Sequence, residues 1–323
     1  MEQQRILVLL PLEERHKAVL ETAAPGIQLT YAAADTVTRE QVQQAQVIIG
    51  NPPVEYVAGS SNLRWFQSNT AGPDPYLKEG VISPQAVITN ATGAYGLAIS
   101  EYMLGTLLSL YKKLNLYRDS QILREWVKLG SVKSVWGSTV LVVGMGDIGG
   151  SFARLVKGMG AYVIGVRRTD TVKPEYADEV HLIEELDSLL PRADVVALSL
   201  PGGSGTAGIL NRQRMERMKD GAVVLNVGRG TAIESMALYD ALKSGKLSGA
   251  AVDVTDPEPL PPEHPLWELP NLIITPHVSG GWSLAETFER IVRISAENLG
   301  RYLRGEPLKN VIDRGTGYRT LEK

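Results

Sequence analysis

The sequence of 323 residues has no cysteine. Disulfides, thiolate nucleophiles and zinc–thiolate centres are therefore excluded. Histidine is scarce as well: only His16, His181, His264 and His277 occur, which argues against a His-rich site, so no metal is expected. There is no excess of positive charge. The formal net charge is −3, which offers nothing to recruit nucleic acid or an anionic membrane. Long hydrophobic runs are missing too. The N-terminal apolar stretch from Ile6 to Leu10 is short and soon followed by charges, unlike a signal peptide, and no segment approaches the length of a membrane span. The expectation is a cytoplasmic protein with neither membrane nor nucleic-acid partners. The remaining composition, 44% hydrophobic and 21% charged residues, is that of an ordinary globular chain. Its length suits about two domains with a sizeable core.

Short apolar runs rich in β-branched residues alternate with longer helical patterns, which predicts α/β units with parallel sheets. Early strands are expected at 5–10, 47–50, 65–68 and 87–89, forming a smaller first unit. A helical pattern from about Ala98 to Trp126 follows. It is rich in Leu and Tyr and reads either as a core helix or as an arm buried against a second subunit. Further strands are expected at 139–143, 161–166, 195–200, 223–226, 249–254 and 272–275, a doubly wound pattern. The helical stretch after Trp282 ends in a tail too short for a domain, so the tail is expected to return to the first unit. The expected division is 1–95 with 286–323 for one domain and 96–285 for the inserted one, with an arm near 105–135. Gly93 to Gly96 and Ser279 to Gly281 are the candidate hinges.

The strand TVLVV runs into Gly144, Met145, Gly146, Asp147, Ile148 and Gly149. This is G-x-G-x-x-G between a strand and a helix, the setting that makes it a dinucleotide turn. Gly144 permits the tight turn, Gly146 lets the backbone approach a pyrophosphate, and Gly149 lets helix and strand pack closely. The helix N-terminus would add free amides and a partial positive charge for the phosphates. A ligand-free turn or a methyltransferase turn is the alternative. The next strand ends in Arg167, Arg168 and Thr169, with no carboxylate before Asp170. An NAD site usually has an acid there, whereas guanidiniums and a hydroxyl suit a 2′-phosphate. NADP(H) is therefore the preferred cofactor, with NAD(H) possible; a pair of solvated arginines is the bland alternative.

Three polar residues follow three later strands: Arg229 in Asn-Val-Gly-Arg-Gly, Glu258 in Asp-Val-Thr-Asp-Pro-Glu-Pro, and His277 in Thr-Pro-His. In open α/β sheets, ligands bind beyond the carboxyl ends of strands. Reducing a 2-oxo acid needs a cation for the carboxylate, which the planar fork of Arg supplies. It also needs an acid for the carbonyl oxygen, for which His is suited. A carboxylate partner would orient that imidazole.

The strings LVVGMGDIGG, LNVGRG, GAAVDVTDPEPLPPEHPLW and NLIITPHVSG resemble the D-isomer-specific 2-hydroxyacid dehydrogenase family, and the resemblance covers nearly the whole chain. It implies two Rossmann-like domains, a homodimer, and catalytic roles for Arg229, Glu258 and His277. It further implies that Asp253 holds the nicotinamide carboxamide and that Ala71 and Gly72 hold the substrate carboxylate through their amides. The loop Pro201 to Thr206 is glycine-rich where many relatives have a Leu-Thr-Pro type, and Pro201 is expected on the cofactor side. Arg167 and Arg168 resemble the glyoxylate and hydroxypyruvate reductases that use NADPH. Trp282, five residues after His277, either walls the substrate pocket or packs at the hinge. His264 and Trp267 are read as supports of the Glu258 loop. The expected activity is reduction of glyoxylate, hydroxypyruvate or a similar short 2-oxo acid. The alternatives are a phosphoglycerate-dehydrogenase-like NAD enzyme and a dinucleotide-sensing binding protein. Formate dehydrogenases share the fold but carry glutamine where this chain has Glu258.

Overall fold

The computed structural model describes residues 4–317, 319 and 320. The chain divides into two compact units, Met1–Tyr95 with Trp282–Lys323, and Gly96–Gly281.

In the first unit, strands β1 (Ile6–Val8), β2 (Leu29–Tyr31), β3 (Val47–Ile49), β4 (Trp65–Gln67) and β5 (Val87–Thr89) alternate with helices α1 (Glu14–Ala23), α2 (Arg39–Gln44) and α3 (Val54–Val57). The strands pair in parallel in the order β2-β1-β3-β4-β5. The central triplets Ile6-Leu7-Val8 and Val47-Ile48-Ile49 are buried throughout. That is why they read as unbroken apolar runs rather than alternations. β2 is not among the expected strands. It is an edge strand of Leu-Thr-Tyr with an exposed centre, too short and too mixed to stand out.

In the second unit, α4 (Gly96–Lys112) and α5 (Leu114–Leu123) lead to β6 (Thr139–Val143), α6 (Asp147–Gly158), β7 (Tyr162–Arg167), β8 (Glu179–Leu182), α7 (Leu186–Leu189) and β9 (Val195–Leu198). Then come α8 (Arg212–Arg217), β10 (Ala222–Asn226), α9 (Ser235–Lys243), β11 (Leu247–Val252) and β12 (Leu272–Ile274). The parallel sheet runs β12-β11-β10-β9-β6-β7-β8. It grows outward from β6 in both directions, so the strand order reverses between β6 and β9. That switch point is where a doubly wound sheet opens its crevice for a ligand. Leu141, Val143, Val196, Leu198 and Val224 fill the core beneath. Among the described residues no helix is long and apolar enough to cross a membrane.

The single helix expected from Ala98 to Trp126 is broken. Lys113 takes a left-handed φ of 58° between α4 and α5, and α5 stops at Arg124, φ 59°. The break follows from the segment that folds back along it. Lys112 Nζ donates to Lys133 O at 2.7 Å, Lys113 Nζ donates to Leu129 O, and Leu129 N donates to Tyr117 Oη at 3.1 Å. Ile122, Leu123, Trp126 and Trp136 stand exposed along this arm.

After the second unit the chain re-enters the first at Trp282, four residues before the expected boundary. The Trp282 ring lies 5.4 Å from Phe288 on α10 (Ala285–Leu303). Asn298 on α10 donates to Gln67 Oε1 at 2.9 Å. Arg314 donates to the carbonyls of Ile82, Ser83 and Ala86. These bonds tie the C-terminal segment to the sheet that the N-terminal residues began.

The edge strand β8 also escapes the sequence reading, because Glu-Val-His-Leu is half-buried along its length and carries charges, as protected edges do. Tyr162 Oη donates to Glu179 Oε1 at 2.6 Å, and Arg192 binds both oxygens of Glu179. His181 reaches Glu179 through Nε2 at 2.7 Å and Glu185 through Nδ1 at 2.9 Å. Arg192, then Tyr162 and His181, hold the Glu179 carboxyl down at about 2. Glu179 and Glu185 raise His181 above its ordinary 6.5. A raised imidazole stabilises fully below its unfolded value, and its contribution fades as pH rises through the folded one. The Glu179 contribution fades only on acidification, from the ordinary 4.5 towards about 2. Hydrogen-exchange protection factors of the β8 amides should therefore decline as pH rises past 6.5, and His181→Gln should flatten that decline. Protection independent of pH in the wild type would show that His181 does not tether the strand.

Candidate active site

At the switch point each glycine of the turn answers a different demand. Gly144 has φ 99°, and a Cβ there would press on Ser199 and Leu200 beyond β9. A Cβ on Gly149 would overlap Gly144 O and approach Ser199 Oγ to 2.7 Å; Ser199 Oγ itself donates to Gly144 O at 2.8 Å. Gly146 is different. It is exposed, and among the described residues nothing lies within 4 Å of a Cβ built on it. No packing within the protein requires glycine there, so the open space beside it suits a ligand.

The other residues of the turn are anchors. Met145 is buried, and its side chain covers Gly165 of β7, where a Cβ would meet Met145 Cγ at 2.8 Å. Ile148 is half-buried at the start of α6. Asp147 is expected on the cofactor side. Its Oδ2 accepts from Gly96 N at 3.0 Å, so its carboxylate also caps α4. A Cβ on Gly96 would come within 2.6 Å of Asp147 Oδ1.

At the end of β7, Arg168 and Thr169 are exposed and Arg167 is half-buried. Arg167 Nη1 donates to Asp170 Oδ1 at 2.7 Å, so Asp170, to which the sequence assigns no part, neutralises some of the expected clamp. Arg167 Nε is buried and has no partner among the described residues. A buried guanidinium N–H left unmatched is costly, and an anionic acceptor would remove that cost. The Pro201 loop is folded on itself, with Thr206 Oγ1 donating to Pro201 O at 2.8 Å and Gly203 O at 3.1 Å.

The three residues follow the adjacent strands β10, β11 and β12. Arg229 sits in a turn that Asn226, fully buried at the end of β10, holds from both sides. Asn226 Oδ1 accepts from Gly228 N at 3.1 Å, and Nδ2 donates to Arg229 O at 3.0 Å. Arg229 Nη1 donates to Gly228 O at 2.8 Å. Glycine flanks Arg229 because the turn is squeezed. A Cβ on Gly228 would lie 2.5 Å from Leu200 O, and one on Gly230 would collide with Thr255 O. The Arg229 turn thus lies directly against the loop that carries Glu258.

Glu258 and His277 form a pair, with Nδ1 2.7 Å from Oε1. The His277 and Glu258 side chains are about half exposed, at 50% and 43%. His277 has a left-handed φ of 54°, a backbone state that costs a non-glycine residue roughly 1–2 kcal/mol. Asp253 holds it there. This carboxylate is only 1% exposed. Oδ1 accepts from Thr275 Oγ1 at 2.6 Å and Val278 N at 2.9 Å; Oδ2 accepts from Ser279 N at 3.0 Å and Ser279 Oγ at 2.5 Å. Asp253 O also accepts from His277 N at 2.8 Å. The geometry makes Asp253 the organiser of the His277 loop, a task beyond the carboxamide contact expected of it. His264 and Trp267 do support the neighbouring segment: Leu266 N donates to His264 Nδ1 at 3.3 Å, and Trp267 Nε1 donates to Pro261 O at 2.9 Å.

In the first unit, the loop 69–72 has every carbonyl engaged. Tyr95 Oη donates to Asn69 O at 2.6 Å, Ala91 N to Thr70 O at 3.0 Å, Asn90 Nδ2 to Ala71 O at 2.5 Å, and Thr70 Oγ1 to Gly72 O at 3.2 Å. The amides of Ala71 and Gly72 have no acceptor among the described residues. Trp282 belongs to this unit. Burial pushes the Tyr95 phenol up to about 12, while a hydrogen bond from Trp282 acts against it. Trp282 thus meets Phe288 within its own unit while 44% of it stays exposed. Sequence reasoning misses Asn226, Thr275, Ser279 and Tyr95. Only Asn226, directly before Val-Gly-Arg-Gly, carries a visible signal.

A family model described as D-isomer specific 2-hydroxyacid dehydrogenase, NAD binding domain, matches residues 104–279. A protein of Corynebacterium melassecola named for its place in the proB 3′ region is 33% identical over 291 residues, 86% of this chain and 92% of its own length. The D-3-phosphoglycerate dehydrogenase of Methanocaldococcus jannaschii is 29% identical over 317 residues; the match spans 96% of this chain but 59% of that protein. A D-isomer specific 2-hydroxyacid dehydrogenase family protein from Aeromonas salmonicida superposes with a TM-score of 0.84 at 34% identity, covering 97% of this chain and 100% of that one. An NADPH-dependent glyoxylate/hydroxypyruvate reductase from Sinorhizobium meliloti, solved with NADP and sulfate, gives 0.81 at 25% identity, covering 98% and 100%.

The last two glycines of the turn predict opposite phenotypes. Gly149→Ala should lose roughly 1–3 kcal/mol or more in a denaturation experiment, the cost of overpacking. Gly146→Ala should alter stability by less than about 0.5 kcal/mol yet weaken dinucleotide binding about tenfold in a fluorescence titration. Full affinity in the Gly146 variant would mean that no ligand occupies the space beside it.

Proposed function

The chain belongs to the D-isomer specific 2-hydroxyacid dehydrogenase family, and on that premise we propose that it reduces a short 2-oxo acid such as glyoxylate or hydroxypyruvate to the D-2-hydroxy acid, using NADPH. The observation that carries the reading is the His277–Glu258 pair on a loop fixed beside the Arg229 turn. Gly144, Gly146 and the first turn of α6 would hold the pyrophosphate, and Arg167, Arg168 and Thr169 the 2′-phosphate. A bound reduced nicotinamide supplies the hydride. Arg229 binds the substrate carboxylate with its planar fork and polarises the carbonyl beside it. We further propose the amides of Ala71 and Gly72 as donors to a carboxylate, since neither has an acceptor among the described residues. His277 donates the proton that the carbonyl oxygen needs as negative charge develops. Glu258, on Nδ1, fixes the ring so that Nε2 faces the substrate and stabilises the imidazolium. In the reverse direction His277 takes the proton back. Exposed Ile122, Leu123 and Trp126 on the arm support a homodimer formed through it, and sedimentation velocity distinguishes dimer from monomer.

The test is a panel of 2-oxo acids with NADPH and NADH, followed by loss of reduced-cofactor absorbance. His277→Asn should reduce kcat by about a hundredfold or more while NADPH still binds. Near-normal turnover with chemistry rate-limiting would remove His277 from the acid role. One charge-assisted hydrogen bond contributes roughly 1.5–3 kcal/mol, so the wild type should prefer NADPH by about tenfold or more in kcat/KM. Arg167→Asp should erase or reverse that preference. Equal use of both cofactors by the wild type would mean that the pairing of Arg167 with Asp170 has already spent the clamp.

A further inference from the structure

The His277 loop is fastened to something outside itself. Thr275 Oγ1 lies 2.6 Å from Asp253 Oδ1 and also 2.6 Å from the phenolic oxygen of Tyr102. A threonine hydroxyl has one proton. The Asp253 carboxylate only accepts, so that proton goes to Asp253, and Tyr102 must be the donor to Thr275. The chain of bonds has one direction: Tyr102 to Thr275 to Asp253. Burial, opposed by the hydrogen bond with Thr275 and aided by the charge of Asp253, pushes the Tyr102 phenol up to about 12, so it remains a donor throughout the neutral range.

Tyr102 lies on α4, whose first amide, Gly96 N, is bonded to Asp147 at the start of α6. One helix therefore grips both the glycine turn and the loop that carries His277. Nothing in this chain of bonds is needed to bury Tyr102 as an apolar ring; a phenylalanine would fill the same space. What the hydroxyls add is a fixed position for Asp253, whose four acceptor bonds set residues 275–279 and hold His277 in its left-handed state.

We propose that Tyr102 and Thr275 are positioning residues for the acid–base step: through Asp253 they set the pose of His277 without touching substrate or cofactor. The proposal rests on the role given to His277 above. It separates two effects that a merely structural pair would move together. Loss of the hydroxyls misplaces the imidazole, and a displacement of an ångström at the reacting centre costs up to about a hundredfold in rate. The glycine turn, held by Asp147, is untouched.

The experiment compares Thr275→Val, Thr275→Ser and Tyr102→Phe with the wild type. It reads kcat, KM for the best 2-oxo acid, NADPH affinity by fluorescence, thermal midpoint and the imidazole nitrogen resonances of His277 by NMR. Thr275→Val should lower kcat about ten- to hundredfold, well beyond any change in NADPH affinity, and should shift the His277 resonances. Thr275→Ser keeps the hydroxyl and should recover most of kcat and return the resonances. Tyr102→Phe, the milder change, should lie between, and it carries the test if Thr275→Val does not fold. Wild-type kcat and unshifted His277 resonances in the variants would overturn the proposal. So would a loss of NADPH affinity in step with kcat, which marks a general structural role. If the wild type reduces no 2-oxo acid, the functional reading fails by itself, and the His277 resonances alone then decide whether Tyr102 and Thr275 position the ring.

Discussion

The buried carboxylate of Asp253 organises the loop that carries His277. Asp253 stands at the end of β11, almost wholly removed from water. An ionised carboxylate in that position is tolerated only when its oxygens are fully hydrogen-bonded. The chain meets this demand locally by folding residues 275–279 around it, with two hydroxyls and two amides as donors. His277 owes its unusual backbone conformation to that wrapping. The histidine is consequently placed by a neighbouring strand end rather than by its own strand, and Glu258 can meet it only because both loops emerge from adjacent, parallel strands.

Steric constraint supplies what hydrogen bonds do not. The β9, β10 and β11 ends are so close that side chains are excluded at Gly228 and Gly230, leaving Arg229 as the one long side chain between two glycines. The same crowding at β6 and β9 demands Gly144 and Gly149. In both places the glycines let backbone approach backbone. Gly146 stands apart because no atom of the described residues lies within 4 Å of a Cβ built on it, so it is the glycine of the turn expected to contribute least to folding.

Much of this was legible in the sequence, for physical reasons that differ by element. A central strand such as β6, where Val140, Leu141, Val142 and Val143 are all buried, is covered on both faces and announces itself as a continuous apolar run. The glycine turn and the residues Arg229, Glu258 and His277 were visible because strand ends followed by chemistry-bearing residues are rare patterns in context. The edge strands β2 and β8 were not visible, since they are short and only partly buried. Nor was the break at Lys113, where a lysine adopts a left-handed φ that no local residue type signals. The second tasks of Asp147 and Asp253 were hidden for another reason. Each side chain serves a partner far away in sequence, Gly96 in one case and residues 275–279 in the other, and sequence spacing does not reveal such partners. Asp170 was seen as the first acid after β7 but not as the partner of Arg167.

The role proposed for His277 requires that the carbonyl carbon receive a hydride as the oxygen receives the proton. Isotope transfer tests this most directly. Turnover of hydroxypyruvate with NADPH deuterated at the transferring position of the nicotinamide should give glycerate carrying deuterium at C2, and the product should be the D isomer by chiral chromatography. Product without deuterium at C2, or of the L configuration, would contradict this chemistry.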